Sequence, residues 1–138
     1  MKQIAIINGV NLGELGSREV NIYGHTDFDS YMKQLQSLFP NVELSYIQTD
    51  SLDEMVAALL QHKDKNGIVL NAGAYTHTAI VLADTIKTIS ARVVEVHISN
   101  LFGRENFRKT SYIAAACAGS ISGFGLKGYQ LAILSLLD

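Results

Sequence analysis

The sequence contains very little cysteine, proline or tryptophan, and each scarcity excludes a class of protein. Among its 138 residues there is one cysteine, Cys117, one proline, Pro40, and no tryptophan. A single cysteine excludes an internal disulfide framework and fits a reducing compartment. No apolar run approaches the ~20 residues of a membrane-spanning helix, and the N-terminus does not have the pattern of a signal peptide. We therefore expect a cytoplasmic protein with no membrane partner.

The chain also has no large excess of either positive or negative charge. Eleven basic residues face thirteen acidic ones, and the formal net charge of −2 offers no basic surface to nucleic acid. Apolar residues make up 48% of the chain and charged residues 17%, a balance typical of globular rather than disordered proteins. The length suits one domain. We expect residues 1–138 to form a single domain with no nucleic-acid partner.

Short apolar strands alternate with amphipathic helices along the whole chain. Strand patterns occupy 4–7, 42–47, 67–70, 93–98 and 119–125, and helical patterns occupy 28–39, a segment after the capping box Ser51–Glu54, 76–88 and 127–137. Residues 106–117 favour a loop with a short helix. Five such units predict an α/β fold, a five-stranded parallel sheet with helices on both faces.

The strand "RVVEVHISN" (92–100) carries a row of polar side chains where apolar ones are expected. Strands of a buried parallel sheet normally read apolar on both faces, and ligands of such sheets bind beyond the carboxyl ends of the strands. Glu95 and His97 share one face, roughly 7 Å apart along the strand. A nearby carboxylate favours the charged imidazolium, which can donate a proton.

Two other interpretations of this pair stay open. It could be a structural pair that merely stabilises the end of the sheet. A metal site would need a third ligand, for which His77 and Asp84 are candidates, but no recognised ligand spacing is present. We therefore predict no metal.

Two further stretches lie where strands are predicted to end. In "NAGAYTHT" (71–78), Asn71 and His77 stand near a helix start, whose free N–H groups favour hydroxylated or anionic ligands. The alternative is a plain turn, capped by Thr76, with Gly73 at positive φ. In residues 99–111, one of the arginines, Arg104 or Arg108, could bind a carboxylate through two hydrogen bonds, unless this is only a solvated run of charges.

The loop at 10–24 is unusually long for a connection between a strand and a helix, which indicates a lid. Free tyrosine has a pKa of about 10 and is a poor base at neutral pH. A guanidinium such as that of Arg18 would lower the pKa of Tyr23 and make proton abstraction feasible. Ordinary loop packing is the alternative.

Asp84 stands in the apolar stretch "AIVLADTI". A helix that is apolar nearly all round is buried in its own fold or against another chain, and a buried acid needs a partner. Asp84 is therefore either a boundary residue that faces water or a residue at a subunit interface, presented to a neighbour's site.

Taken together, these stretches resemble the type II 3-dehydroquinate dehydratase family across essentially the whole chain. The resemblance lies in "INGVNLGELGSREVNIYG" (7–24), "NAGAYTHT" with Asp84, "VVEVHISN" with "RENFRKTS", and "GFGLKGY" (123–129). It implies a flavodoxin-like catalytic domain that needs no cofactor, in homododecamers built as four trimers. The implied reaction is the trans-elimination of water from 3-dehydroquinate through an enolate, which yields 3-dehydroshikimate in the pathway to chorismate and the aromatic amino acids.

The resemblance also assigns a role to individual residues. Tyr23 would be the base, held as tyrosinate beside Arg18, and Asn11 would stabilise the enolate. His97 would protonate the departing hydroxyl, oriented and charged by Glu95. The matching substrate-binding residues are Asn71, His77, Ile98, Ser99 and Arg108, with Asp84 reaching the site of the adjacent subunit.

Two other functions remain open at this point. One is a catalytically inactive homologue that acts as an oligomeric binding or scaffold protein, against which the retained acid and base argue. The other is a flavodoxin-like electron carrier or a receiver domain. The first strand ends in Asn8-Gly9, not in an acidic pair or a hydroxyl-rich phosphate loop, so this last function is disfavoured.

Overall fold

The computed structural model describes residues 1–9, 27–103 and 110–138. Within these ranges five strands alternate with four α-helices. The strands are β1 (Lys2–Asn8), β2 (Val42–Gln48), β3 (Gly67–Asn71), β4 (Arg92–His97) and β5 (Gly119–Ser122). The helices are α1 (Phe28–Leu38), α2 (Leu52–Gln61), α3 (Ile80–Thr88) and α4 (Lys127–Leu136). Each predicted unit is present, with bounds that shift by a few residues.

All strand pairs are parallel, in the order β2-β1-β3-β4-β5. This is the doubly wound order of flavodoxin-like folds, so the predicted fold class is confirmed. The parallel arrangement brings every carboxyl end to one edge of the sheet. At this edge Asn8 lies opposite both Gln48 and Asn71, while Ser120 lies opposite Glu95.

Two apolar layers cover the sheet, one on each face. α1 and α4 pack on the face that carries Val94, Val96 and Ile98, and α2 and α3 pack on the face that carries Val93. Successive side chains of a strand point to opposite faces. Glu95 and His97 therefore project toward the α2–α3 layer, although both are buried.

The N-terminus of α2 is capped through a three-residue hydrogen-bond relay. The Ser51 hydroxyl accepts from the N–H of Glu54 at 3.3 Å, as the capping-box pattern predicts. The Glu54 carboxylate does not return to Ser51 directly. It accepts from the Thr49 hydroxyl at 2.5 Å, and that hydroxyl accepts from the N–H of Ser51 at 3.0 Å. Thr49 thus completes the cap and anchors the end of β2.

The helix predicted from Thr76 begins four residues later, and this prediction was wrong at its start. Gly73–His77 form a separate 3-10 turn, which Gly73 enters with φ 60°, the conformation expected of it. Thr76 is buried inside this turn and does not cap α3. The extended backbone of Ala79 (φ −98°, ψ 91°) separates the turn from the helix. The break leaves His77 on a tight turn directly beyond β3.

None of the helices in the described ranges has the length and apolar character that crossing a membrane requires.

Candidate active site

The carboxyl edge of the sheet brings together four of the predicted site residues. Glu95 and His97 stand at the end of β4, Asn71 ends β3, and His77 ends the turn that follows. All four are buried, with at most 9% of the residue exposed. Four other predicted residues, Asn11, Arg18, Tyr23 and Arg108, lie outside the described ranges.

Glu95 accepts three hydrogen bonds from side chains. Its Oε2 accepts from Nε2 of His97 at 3.0 Å and from the Ser111 hydroxyl at 2.9 Å. Its Oε1 accepts from the Ser120 hydroxyl at 2.5 Å. The strand register explains the last contact, because β5 places Ser120 directly opposite Glu95. A carboxylate so bonded is held in one orientation.

The electrostatics of Glu95 favour its charged form. Burial raises the pKa of its carboxyl, but the hydrogen bonds from His97, Ser120 and Ser111 outweigh burial and hold this pKa below its usual range. Because the ionised carboxylate can only accept, Nε2 of His97 must be the donor in the pair. Proton transfer to a ligand then falls to Nδ1, the other ring nitrogen.

His77 is oriented by the backbone of the segment that follows β4. Its Nδ1 lies 2.7 Å from the carbonyl oxygen of Thr110, which can only accept, so Nδ1 carries a proton. In the neutral ring Nε2 is then an acceptor. The ring stacks near that of His97, with centroids 6.4 Å apart and planes 27° apart. The two histidines form one imidazole-lined surface.

A buried hydrogen-bond chain joins β1, β3 and α4 at the same edge. The Tyr129 hydroxyl donates to Oδ1 of Asn8 at 2.8 Å and accepts from Nδ2 of Asn71 at 2.9 Å. Oδ1 of Asn71 accepts from the N–H of Gly73 at 3.2 Å. The Asn71 amide is thereby fixed in its orientation from both ends. Burial raises the pKa of the Tyr129 phenol, which stays neutral and able to donate.

Ile98 and Ser99 continue β4 beyond His97. The Ile98 side chain packs in the apolar layer formed with α1 and α4, and its carbonyl accepts from the N–H of Gly125 at 3.0 Å. Ser99 is half-buried. Any contact between Ile98 and a ligand must therefore use its backbone.

Asp84 lies on an exposed face of α3. Two apolar neighbours on the first turn of that helix, Ile80 and Val81, are 60% and 46% exposed. Within its own chain this helix is not buried all round, and burial against another chain stays a prediction. Its inner face packs on the sheet, but its outer face shows a carboxylate beside two aliphatic side chains.

The described residues contain no group of three or more metal-ligating side chains that could hold a metal ion. Glu95 and His97 meet as a pair, and the other described candidates do not complete a ligand set around them.

Comparison with known proteins identifies the family. The model of the family described as dehydroquinase class II matches residues 2–137. The chain belongs to this family. A 3-dehydroquinate dehydratase of Pelodictyon phaeoclathratiforme is 44% identical over 137 residues, which cover 97% of this chain and 91% of that protein.

Solved structures agree with this result. The type II dehydroquinase of Propionibacterium acnes is 39% identical, with a TM-score of 0.94 over 100% of this chain and 98% of its own. That of Butyrivibrio crossotus is 36% identical, with a TM-score of 0.95 over 99% and 98%. The resemblance in the sequence motifs is confirmed.

Three residues around the site could not be predicted from the sequence. Tyr129 falls within the motif "GFGLKGY", but the motif does not reveal its contact with Asn71. Ser111 and Ser120 become partners of Glu95 only through the folding of the chain. Ser120 had one usable signal, its position in a predicted strand. Which residue it opposes depends on the register, and the pattern of β5 does not specify that.

Cys117 lies near Glu95 but is not part of the Glu95–His97 pair. Burial raises the pKa of its thiol to about 12, with a further contribution from the nearby charge of Glu95. The thiol is free and stays protonated at neutral pH. It is an unreactive neighbour of the site.

Proposed function

We propose that the carboxyl edge of the sheet is the active site, with His97 as the acid and Tyr23 as the base. The chain is a 3-dehydroquinate dehydratase, a hydro-lyase that removes water from 3-dehydroquinate to give 3-dehydroshikimate. One observation carries the assignment of the site: a buried, ionised Glu95 holds Nε2 of His97 at 3.0 Å. A pair of this kind keeps an imidazolium ready to give up a proton.

The substrate determines which groups the reaction needs. It is a ketone with a proton on the carbon next to the carbonyl and a hydroxyl one carbon further on. Removal of the proton gives an enolate, and the hydroxyl leaves only if it takes up a proton. The enzyme must supply a base, a group that stabilises the enolate oxygen, and an acid.

His97 supplies the acid. Nε2 is held by Glu95, so Nδ1–H of the imidazolium donates to the departing hydroxyl, which leaves as water. The Glu95 carboxylate balances the positive charge of the imidazolium before the transfer, and the ring is neutral after it. A positioned acid of this kind contributes roughly 10²–10⁴-fold to the rate.

Tyr23, Arg18 and Asn11 supply the base and the enolate contact. They belong to residues 10–26, which continue from β1 at its carboxyl end. Gly9, the last described residue before them, donates its N–H to the carbonyl of Asn71 at 2.7 Å. The chain therefore leaves the sheet directly beside the site. The Arg18 guanidinium stabilises the Tyr23 phenolate, which abstracts the proton, and Asn11 stabilises the enolate oxygen.

The remaining residues bind the substrate. Nε2 of His77 accepts from a substrate hydroxyl, because Nδ1 is bonded to Thr110. The amide of Asn71, fixed by Tyr129 and Gly73, presents its remaining polar positions to a second hydroxyl. Ile98 contributes through its backbone together with Ser99, and Arg108 binds the substrate carboxylate through two hydrogen bonds.

Asp84 acts on the site of a neighbouring subunit. Its carboxylate is exposed, and the aliphatic side chains of Ile80 and Val81 beside it are exposed too. An aliphatic surface around one acid suits a contact between copies of this chain. We place Asp84 at a trimer interface, with four trimers forming a dodecamer.

The test is the reaction itself. Purified protein incubated with 3-dehydroquinate should produce 3-dehydroshikimate, which is followed by the absorbance of its conjugated enone. His97→Asn, which keeps a polar side chain but removes the acid, should be folded and almost inactive. An inactive wild-type protein would favour an oligomeric scaffold. A fully active His97→Asn variant would disprove the assignment of the acid.

A further inference from the structure

The carboxylate of Glu95 is bonded through both of its oxygens, and the two oxygens have different partners. Oε2 is shared by His97 and Ser111, at 3.0 and 2.9 Å. Oε1 accepts from Ser120, at 2.5 Å, which is the shortest of the three distances. Rotation of the carboxylate would move Oε2 away from His97. The contact at Oε1 opposes this rotation.

We infer that Ser120 is a positioning residue of the acid: its hydroxyl fixes the plane and the charge of Glu95, and through Glu95 the orientation of His97. This inference rests on the proposed function of His97. Ser120 is not a catalytic residue, because its hydroxyl bonds to Glu95 and not to the imidazole.

The location of Ser120 makes this role separable from folding. It stands on β5, an edge strand of the sheet, and the residue is exposed, whereas Glu95 is 1% exposed. Because Ser120 is exposed, a side chain slightly larger than serine can extend toward solvent without disturbing the apolar layers.

The other groups around Glu95 do not replace this contact. Ser111 bonds to Oε2 and also accepts from the N–H of Ala114 at 3.1 Å. Its hydroxyl is therefore held at the other carboxylate oxygen from the one that Ser120 contacts. The Cys117 thiol is neutral, and His77 faces His97 rather than the carboxylate. Among the described side chains, Ser120 alone bonds to Oε1.

The consequence is a dependence of activity on pH. A hydroxyl that donates to a carboxylate stabilises the ionised form and lowers the pKa of the acid. Without this donor Glu95 takes up a proton at higher pH, and a protonated Glu95 no longer supports a charged His97. Loss of the hydroxyl should therefore move the acid limb of the rate profile to higher pH.

The experiment compares Ser120→Thr with Ser120→Val, because these side chains have nearly the same shape and differ in the hydroxyl. Valine also keeps water from taking the place of the hydroxyl, as it could in the smaller Ser120→Ala. Turnover with 3-dehydroquinate is measured across pH, and urea unfolding verifies that both variants are equally folded.

Ser120→Thr should retain the wild-type kcat and pH profile. Ser120→Val should lower kcat by about tenfold, with KM within about twofold, and raise the acid limb of kcat/KM by about one pH unit. Identical kcat values and profiles for the two variants would overturn the inference, and so would a change confined to KM. If the wild-type enzyme itself shows no turnover, it is the proposed function that fails, which separates the two outcomes.

Discussion

The imidazole rings of His77 and His97 lie nearly parallel, with 6.4 Å between their centroids. They come from different parts of the chain, one from the turn after β3 and the other from the end of β4. His97 is bonded to the carboxylate of Glu95, whereas His77 is bonded to the carbonyl oxygen of Thr110. The two neighbouring rings therefore have partners of different charge.

Replacement of Glu95 by glutamine should disable the acid while preserving the shape of the site. The amide keeps the size of the carboxylate but has no charge to balance an imidazolium. We expect kcat to fall about 100-fold or more, with a smaller change in KM, because the missing interaction matters most during proton transfer. Steady-state kinetics measure this. A kcat near that of the wild type would contradict the assignment of Glu95.

The stability of the protein should depend on pH through the same carboxyl. The pKa of Glu95 is lowered in the folded state from an ordinary value of about 4.5. Its ionisation therefore stabilises the fold above that pH, and this contribution disappears as pH falls through the folded-state pKa. The free energy of unfolding is measured with urea for the wild type and for Glu95→Gln. As the pH is lowered from neutral to about 4.5 and below, it should fall more for the wild type than for the variant. Parallel curves would contradict this prediction.

Tyr23→Phe should fold and assemble normally but lose nearly all turnover. Phenylalanine keeps the ring and removes the oxygen that abstracts the proton, so the loss should reach roughly 10²–10⁴-fold. Turnover gives the effect, and light scattering with circular dichroism verifies assembly and folding. An active variant would end the assignment of a tyrosinate base.

Asp84→Asn should weaken substrate binding or trimer assembly, because the charge it removes is proposed to act across a subunit interface. KM and the mass in light scattering are the measurements. Asp53→Asn is the matched control, since Asp53 is also an exposed helical acid but stands on α2 and not on the helix that carries Ile80 and Val81. If KM and mass of Asp84→Asn both match those of Asp53→Asn, the inter-subunit role of Asp84 is wrong.

Tyr129→Phe should loosen the Asn71 amide and destabilise the fold. The hydroxyl that it removes joins Asn8 to Asn71, and two buried polar atoms lose their shared partner. We expect a fall of about 1–3 kcal/mol in the free energy of unfolding, together with a higher KM. Equilibrium unfolding and steady-state kinetics measure the two effects.

Tyr31→Phe is the control for this prediction. The Tyr31 hydroxyl also donates to a single acceptor, the carbonyl of Leu126 at 2.6 Å, but it has no contact with Asn71. Its loss should lower stability and leave KM unchanged. Equal KM values for Tyr31→Phe and Tyr129→Phe would remove the proposed link between Tyr129 and the substrate.

The sequence alone determined the architecture and predicted the pairing of Glu95 with His97, which the structure shows as a hydrogen bond. Alternating strand and helix patterns predicted a parallel sheet, and parallel strands place all their carboxyl ends on one edge. The polar row of Glu95 and His97 could be recognised because period-two alternation is a local property of a strand. The same locality explains the error at Thr76, since the extended backbone at Ala79 that separates the turn from the helix left no mark in an otherwise helical pattern.

Only the tertiary structure decided which side chains hold those groups in place. Ser120 lies 25 residues from Glu95 along the chain, and Tyr129 lies 58 residues from Asn71. Such contacts depend on strand order and register, and these follow from the packing of two whole apolar layers. A hydroxyl donor also has no fixed meaning in a sequence, because serine serves as a cap, a surface residue or a partner of a carboxylate according to what folding places opposite it.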